Sequence, residues 1–518
     1  MMEETFRSRP IRKTAGALAC AAALGSGLLV ACSVGPRYVA PGAPDVPSYK
    51  EAAPGQYHDI APGAWQPAQP QDAALKGKWW QMFREPELDA LEERLNIDNQ
   101  NIAQYFQNFM AARAQVREAG AGYFPKVTTD PAITRSRVGA LAGSASGTGA
   151  TTSGSTISNL FSLPFDVSWE PDLWDRIRNT VREYRAAAQV SAADLENERL
   201  TEQASLAEFY FELRGQDSLQ DLYDRTVDAD RQALDFVRAQ AQTGIGNEEA
   251  VAQAEVTLEN AQASRIGIAT NRALYEHAIA TLIGTPASSF SMPVKSLTAV
   301  VPEISVGVPS QLLQRRPDIA AAERTMAQAN ALIGVEKAAY YPDLVLTGAI
   351  GFTSPAIAKL LSLPALFWSL GASAAETIFD GGLRDATVAQ YTASYSADLA
   401  SYRQTVLVAI QQVEDYVATV RVISQQLGRQ EAAVGAARRY LEIASRRYET
   451  GLDPYLNVLN AQTTLLSDEQ TLITLRVSEM TAAAQLIQAL GGGWEVAQLP
   501  ADASLSSGEA AGRPADLP

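Results

Sequence analysis

Two long stretches of the chain carry apolar residues at alternating steps of three and four. In the first, Leu206, Phe209, Leu213, Leu219, Leu222, Thr226, Ala229 and Ala233 mark a recurring face, and no proline interrupts residues 176–243. In the second, Val434, Ala437, Leu441, Ala444 and Tyr448 recur; after a short break Leu456, Leu459, Thr463, Leu466, Gln470, Ile473 and Val477 keep the rhythm. The spacing predicts long helices. Their alanines and polar members suit close packing in a larger assembly better than an isolated two-stranded coil. The proline-free run 382–450 would reach about 100 Å as a helix at about 1.5 Å per residue.

Between the helical stretches the period changes from 3.6 to two. Over 163–169, Leu163, Phe165, Val167 and Trp169 fall on one face and Pro164, Asp166 and Ser168 on the other. Over 366–373, Leu366, Trp368, Leu370 and Ala372 alternate with Ser369, Gly371 and Ser373. Further strands are expected near 127–138 and 344–352, each after an aromatic-aromatic-proline landmark. The linking segments differ: "GALAGSASGTGATTSGSTISN" from Gly139 reads as a flexible, exposed loop, and "TSPAIAKLLSLP" from Thr353 is shorter and more apolar. Strands with one apolar and one polar face suit a membrane barrel around water. Four cannot close one, and an open edge in hydrocarbon costs several kcal/mol per unpaired group. Other subunits must therefore complete the sheet. Threefold symmetry would supply twelve strands, although closure alone does not select three.

The same landmarks occur twice in the same order. "VREAGAGYFPKV" (116–127) is echoed by "GVEKAAYYPDLV" (334–345), and "WEPDLWDRIRN" from Trp169 by "AAETIFDGGLRD" from Ala374. "TGIGNEEAVAQAEVTL" (243–258) then matches "TGLDPYLNVLNAQTTL" (450–465), and "LIG" at Leu282 matches "LGGG" at Leu490. The interval from Gly244 to Gly284 equals that from Gly451 to Gly491. A duplicated architecture follows, each half running long helix, strands, long helix, turn, long helix. Gly244 and Gly451 read as helix ends that permit those turns.

The ends and the composition narrow the class. Arg7, Arg9, Arg12 and Lys13 precede a short apolar run ending at Cys32, which reads as an export signal over residues 1–31. Leu29-Val30-Ala31-Cys32 resembles a bacterial lipobox, in which Cys32 becomes the lipidated first residue, bearing diacylglycerol and an N-acyl chain. Ser33 stands where an aspartate would resemble an inner-membrane retention signal, so outer-membrane delivery is expected. Cleavage removes Cys20 and leaves one cysteine, which excludes a disulfide framework. A net charge of −16 argues against nucleic acid. Beyond the signal no apolar run reaches the length of a transmembrane helix.

Catalytic chemistry finds little support. His58 lies in a Pro/Gly-rich segment and His277 in "LYEHAIATLIG", and neither joins a His/Cys ligand set. Neither a nucleophile elbow nor a phosphate-binding loop is present, and Glu248 and Glu249 are adjacent helical residues that point apart. The reading is a non-enzyme with no metal and no cofactor beyond the lipid.

In its order of landmarks the chain resembles the TolC-like outer membrane efflux proteins, particularly the NodT-like lipoprotein group of resistance–nodulation–division pump systems. "SVGPRYVAPGAPDVP" after Cys32, the duplicated plan, "LLQRRPDI" (312–319) and "YETGLDPYLNVLNAQTTLL" carry the resemblance over almost all of residues 32–495. It implies a mixed α/β membrane protein: a homotrimeric channel with a twelve-stranded outer-membrane barrel, four strands per protomer, and a long periplasmic α-helical barrel. The expected divisions are a signal peptide (1–31), an extended equatorial segment (32–90), two efflux repeats (91–300 and 301–495) and a flexible tail (496–518). The implied partners are a periplasmic adaptor (membrane fusion) protein, an inner-membrane resistance–nodulation–division transporter and outer-membrane lipids.

The same resemblance places Thr243, Gly244, Ile245, Gly246, Thr450, Gly451, Leu452 and Asp453 at an adaptor-facing tip. Arg238, Arg447 and Tyr448 beside it either latch helices, contact the adaptor or form ordinary solvated faces. Leu456 and Asn460 fall at the periplasmic constriction, where the family commonly has an acidic ring; here the expected acid is Asn460. An amide ring lacks the mutual repulsion and cation attraction of carboxylates. Arg315 and Arg316 are candidates for pairing with neighbouring carboxylates, and Trp494 for an aromatic packing anchor. The competing reading is a periplasmic structural or adaptor-like protein without a pore, against which the recurring amphipathic strands weigh.

Overall fold

All four expected strand positions form, and Pro131 splits one of them. The computed structural model describes residues 34–44, 46, 48–51, 77–138, 156–244, 248–302, 304, 306–307 and 309–506. In chain order come helices α1 (Pro86–Asp98) and α2 (Gln100–Ala121), strands β1 (Lys126–Thr129), β2 (Ala132–Val138) and β3 (Thr156–Trp169), then helices α3 (Arg176–Gln242) and α4 (Glu248–Leu282). The second half follows with α5 (Pro317–Ala338), β4 (Asp343–Ser354), β5 (Leu366–Ala375), α6 (Leu383–Glu449) and α7 (Tyr455–Ala489). The duplication is visible in the helix lengths. Both α2 and α5 have 22 residues, α3 and α6 have 67, and α4 and α7 have 35.

The chain divides into two compact units. The unit drawn from Met1–Ala40, Arg113–Ala187 and Met326–Asp398 holds the sheet, in the order β1/β2, β3, β4, β5 with every pairing antiparallel. Thr129 lies opposite Phe165 and Ala132 opposite Ser162, so β1 and β2 keep one register across Asp130-Pro131. Proline has no N–H to give the ladder, which interrupts the strand without shifting it. A second proline, Pro164, sits inside the central strand β3. Gly351 lies opposite it, where a Cβ would come within 2.4 Å of the Leu163 carbonyl oxygen and 2.7 Å of the Pro164 Cα. Only a glycine lets the strands close there.

The other unit, drawn from Pro41–Ala112, Ala188–Thr325 and Leu399–Pro518, is helical. Small residues bring its helices close: a Cβ on Gly215 of α3 would lie 2.4 Å from Cγ2 of Val477 on α7. Both α4 and α7 end in a left-handed glycine with the same paired carbonyl bonds. Gly284 N–H reaches Thr281 and Thr285 N–H reaches Ala280; Gly491 N–H reaches Gln488 and Gly492 N–H reaches Ile487. Asn99 donates to the Leu282 carbonyl at 2.9 Å, and Arg316, before α5, donates to that of Ala489 at 3.0 Å. Arg316 also chelates Asp318 at 3.0 and 2.6 Å, consistent with the carboxylate pairing expected of it. Trp494 is buried against Ala193, Ala320 and Ala321.

Two expectations need correction. The buried seam of α3 follows the predicted face as far as Leu222 and then moves to Val227, Asp230, Leu234 and Val237, leaving Ala229 exposed. A straight helix of 3.6 residues per turn drifts against a strict seven-residue repeat, so a face drawn over so many turns slips by one position. The tail packs as far as residue 506: Leu499 joins the Trp494 cluster, Gln189 donates to the Pro500 carbonyl, and Leu505 is fully buried in a short helix.

Candidate channel elements

The register sorts the sheet into two chemically different faces. Phe165, Ile350 and Trp368 share one level of the apolar face, and Val167, Gly348 and Leu370 the next. Asp166, Ala349 and Ser369, then Ser168, Thr347 and Gly371, form the other face. Trp368 is 71% exposed and Leu370 81%, which water would not tolerate over such a patch but hydrocarbon would. Among the described residues the outer edges of β1/β2 and β5 carry no neighbouring strand. The sheet is thus a membrane face on one side, a polar wall on the other, and incomplete at both edges.

The helical turns form the second element. At the end of α6 the Thr450 hydroxyl donates to the carbonyls of Arg446 and Arg447, both at 3.0 Å. Gly451, at φ 72°, gives its N–H to the Tyr448 carbonyl, and Leu452 gives its own to that of Arg447, each at 2.9 Å. This pair of bonds satisfies carbonyls that a helix end leaves open. Asp453 then receives Arg447 Nε at 2.6 Å and Nη2 at 3.1 Å, and that guanidinium holds its carboxyl below the usual range. Pro454 caps α7. At the first turn Thr243 donates to the Gln240 carbonyl at 2.9 Å, and Gly244 has φ 76°. Ile245 and Gly246 lie outside the described residues, as do Cys32 and His58.

Beneath the turns all four long helices share one core. Val227, Leu234 and Val237 meet Ala254, Leu258 and Ala261, Ala444, and Tyr455, Val458 and Ala461. Tyr448 packs against this cluster and donates to Gln240 Oε1 at 2.6 Å, linking α6 to α3. Arg238 pairs with Glu255 across the first turn at 2.6 Å, an exposed pair of small energetic value. Leu456 and Asn460 stand on the exposed face of α7, away from buried Tyr455, Val458 and Ala461. The sequence periodicity put Leu456 on the packing face; the core instead takes Tyr455, one position before it, and Val458, two positions after.

The periodicity also passed over Asp230. It is 4% exposed on the Val227–Leu234 seam, its Oδ2 has no hydrogen-bond partner, and burial pushes its carboxyl up to about 6. The steps of three and four linking Val227, Asp230, Leu234 and Val237 were the available signal. Farther along α3, Arg214 is 1% exposed and donates to Asp217 at 2.8 Å, Glu87 at 2.5 Å and the Pro293 carbonyl at 2.8 Å. Arg272 completes Asp217 at 2.7 Å. No sequence motif marks this cluster, since its members lie on separate elements. His277 is exposed, and among the described residues no three His, Cys, Asp or Glu side chains gather as a metal site.

An open amphipathic sheet together with paired helical turns defines a channel-forming membrane protein of the TolC-like fold. Residues 92–285 and 308–492 match the outer membrane efflux protein family, and the chain belongs to it. The antibiotic efflux pump outer membrane protein ArpC of Pseudomonas putida is 30% identical over 471 residues, covering 90% of this chain and 94% of that protein. The solved outer-membrane channel OprN is 27% identical with a TM-score of 0.78, covering 89% of this chain and all of the other. The Campylobacter jejuni CmeC outer membrane channel has a TM-score of 0.80 at 22% identity, covering 90% and 96%. The protein is the outer-membrane channel component of a tripartite efflux system, built as the trimeric channels of this fold are. It passively conducts to the exterior what an inner-membrane pump expels.

Proposed function

We propose that the channel is closed at its periplasmic end by Leu456 and Asn460 and meets its adaptor through the two helical turns. The observation that carries this is the placement of Leu456, 47% exposed, and exposed Asn460 on one face of α7 just after the second turn. Three copies of that face around an axis would bring an apolar and an amide ring together. In this reading Tyr448–Gln240 latches the helices, while Thr243, Gly244, Ile245, Gly246, Thr450, Gly451, Leu452 and Asp453 face the adaptor. Exposed Leu452 offers an apolar contact, and the Arg447–Asp453 chelate holds the turn in shape.

The partners in this proposal are a membrane fusion adaptor and a resistance–nodulation–division transporter, and Cys32 carries the lipid anchor after removal of residues 1–31. Residues 91–300 and 301–495 are its two repeats. The protein works as a duct without a covalent step, so it is not an enzyme and needs no cofactor. Planar-bilayer conductance of Asn460→Asp tests the gate: a carboxylate ring is expected to raise cation selectivity and alter the closed-state conductance. Unchanged selectivity and opening would sink the assignment.

A further inference from the structure

The apolar face of the sheet does not stay apolar. With β1, β2 and β3 in one register, Ile133 lies opposite Phe161, Arg135 opposite Asn159 and Arg137 opposite Ile157. Directly paired residues share a face, and along β3 this odd-numbered set continues through Leu163, Phe165, Val167 and Trp169. Arg135 and Arg137 therefore project from the hydrocarbon side, at the end of the strands that leads into the hairpin connection. Both are exposed, as is Asn159.

Their depth matters, because a lipid-facing arginine is costly at the bilayer midplane and nearly free at its surface. The stretch of β3 from Trp169 to Asn159 covers about 33 Å at about 3.3 Å per residue. At the strand tilt of about 40° found in such barrels this is about 25 Å along the membrane normal, the height of their apolar band. The arginines thus reach the far interface, where headgroups begin.

The charge at that end is of one sign. From Val138 to Phe165 the sequence contains no charged residue, so the hairpin supplies no carboxylate; the β4–β5 connection contributes Lys359 and no acid. The opposite strand ends, which join the helices, carry Glu170, Asp172, Asp343 and Glu376. In a chain of net charge −16, basic side chains of one sign at headgroup depth on a hydrocarbon face suit an anion that arrives with the lipid.

We propose that Arg135 and Arg137, with Asn159 opposite Arg135, bind the phosphate of an outer-leaflet lipid headgroup. Guanidinium groups match phosphate oxygens with paired donors, and two of them one strand turn apart on the lipid side engage a phosphate whose acyl chains lie on Ile133, Phe161 and Leu163. The inference rests on the barrel orientation of the channel reading, with the hairpin connections facing outward.

The test uses the full-length trimer and lipid retention measured by native mass spectrometry with bisphosphorylated lipid A, its dephosphorylated form and inorganic phosphate. The wild type is expected to retain the phosphorylated lipid about thirtyfold better than does Arg135→Gln/Arg137→Gln, from about 1 kcal/mol for each of the two basic residues near a charged lipid surface. Arg135→Lys/Arg137→Lys should retain an intermediate amount, and the dephosphorylated lipid should not distinguish wild type from the glutamine variant. Equal retention of both lipids by the wild type overturns the proposal, and so does displacement of the lipid by millimolar inorganic phosphate, which would mark a site for the free ion. Conductance in planar bilayers is recorded on the same samples. A channel that conducts but fails the lipid comparison loses only the rim, whereas failure to insert and conduct would refute the channel reading.

Discussion

Gly451 and Gly491 end two helices of the same unit with the same pair of carbonyl bonds, yet their surroundings are opposite. A Cβ on Gly451 would meet nothing within 4 Å, while one on Gly491 would lie 2.0 Å from the Arg315 carbonyl oxygen. The first half repeats the contrast: a Cβ on Gly244 would meet open space, and one on Gly284 would lie 2.3 Å from the Asp98 carbonyl oxygen. At the turns, glycine serves only the left-handed backbone. At the helix exits it also admits another chain segment, so packing fixes the exits and leaves the turns without that constraint.

The charged groups follow the same division. Toward the exits, Arg214 and Asp217 are buried within one network: Arg214 donates to Asp217, Glu87 and the Pro293 carbonyl, and Asp217 also receives Arg272 and the Lys295 N–H, leaving only Arg214 Nε unmatched. Near the turns, Asp230 is buried with an unmatched oxygen among apolar side chains and beside Tyr455. One arrangement ties separate elements together; the other leaves a weak point in the core beneath the turns.

The largest expected effect comes from Gly491→Ala, which adds a clash with backbone to a strained φ of +95° and should cost about 5 kcal/mol in thermal unfolding followed by helical circular dichroism. Arg214→Met leaves Asp217 and Glu87 short of a buried partner and should cost about 4 kcal/mol by the same measurement. If either variant unfolds like the wild type, the exits are not the fixed region.

Asp230→Asn probes the other side of the contrast. The folded-state value of about 6 lies above the ordinary 3.8, so folding favours the protonated acid. The associated stability is complete below about pH 4 and is lost as pH rises through about 6, up to about 3 kcal/mol in all. The wild type should therefore weaken over that window, and Asp230→Asn should flatten the profile. A variant that keeps the full pH dependence would remove Asp230 from the account. Smallest of all, Gly451→Ala should cost only about 1 kcal/mol, the left-handed penalty without a clash. A loss matching that of Gly491→Ala would abolish the distinction between turn and exit.

Much of this was legible in the chain. Periods of 3.6 and two placed the helices and strands, since each element must bury a face and the spacing follows from its geometry. Thr450-Gly451 and Gly491 announced helix ends because few residues besides glycine take a positive φ there. Pro131 broke a strand without changing its register, a distinction that needs the partner strand to be seen. The slip from Ala229 to Asp230 needed the packed bundle, because a drift of one position changes the buried residue without disturbing the periodic pattern.

The sequence by itself determined the duplicated plan, the four strand positions, the two turns and the amphipathic character of the sheet, all properties of local spacing. Only the tertiary structure decided that Asp230 is interior, that Leu456 and Asn460 are exposed, that Gly491 rests on Arg315, and that Arg135 shares a face with Trp169. Each of these depends on which distant residue comes alongside, and burial, clash and sheet sidedness exist only once that neighbour is in place.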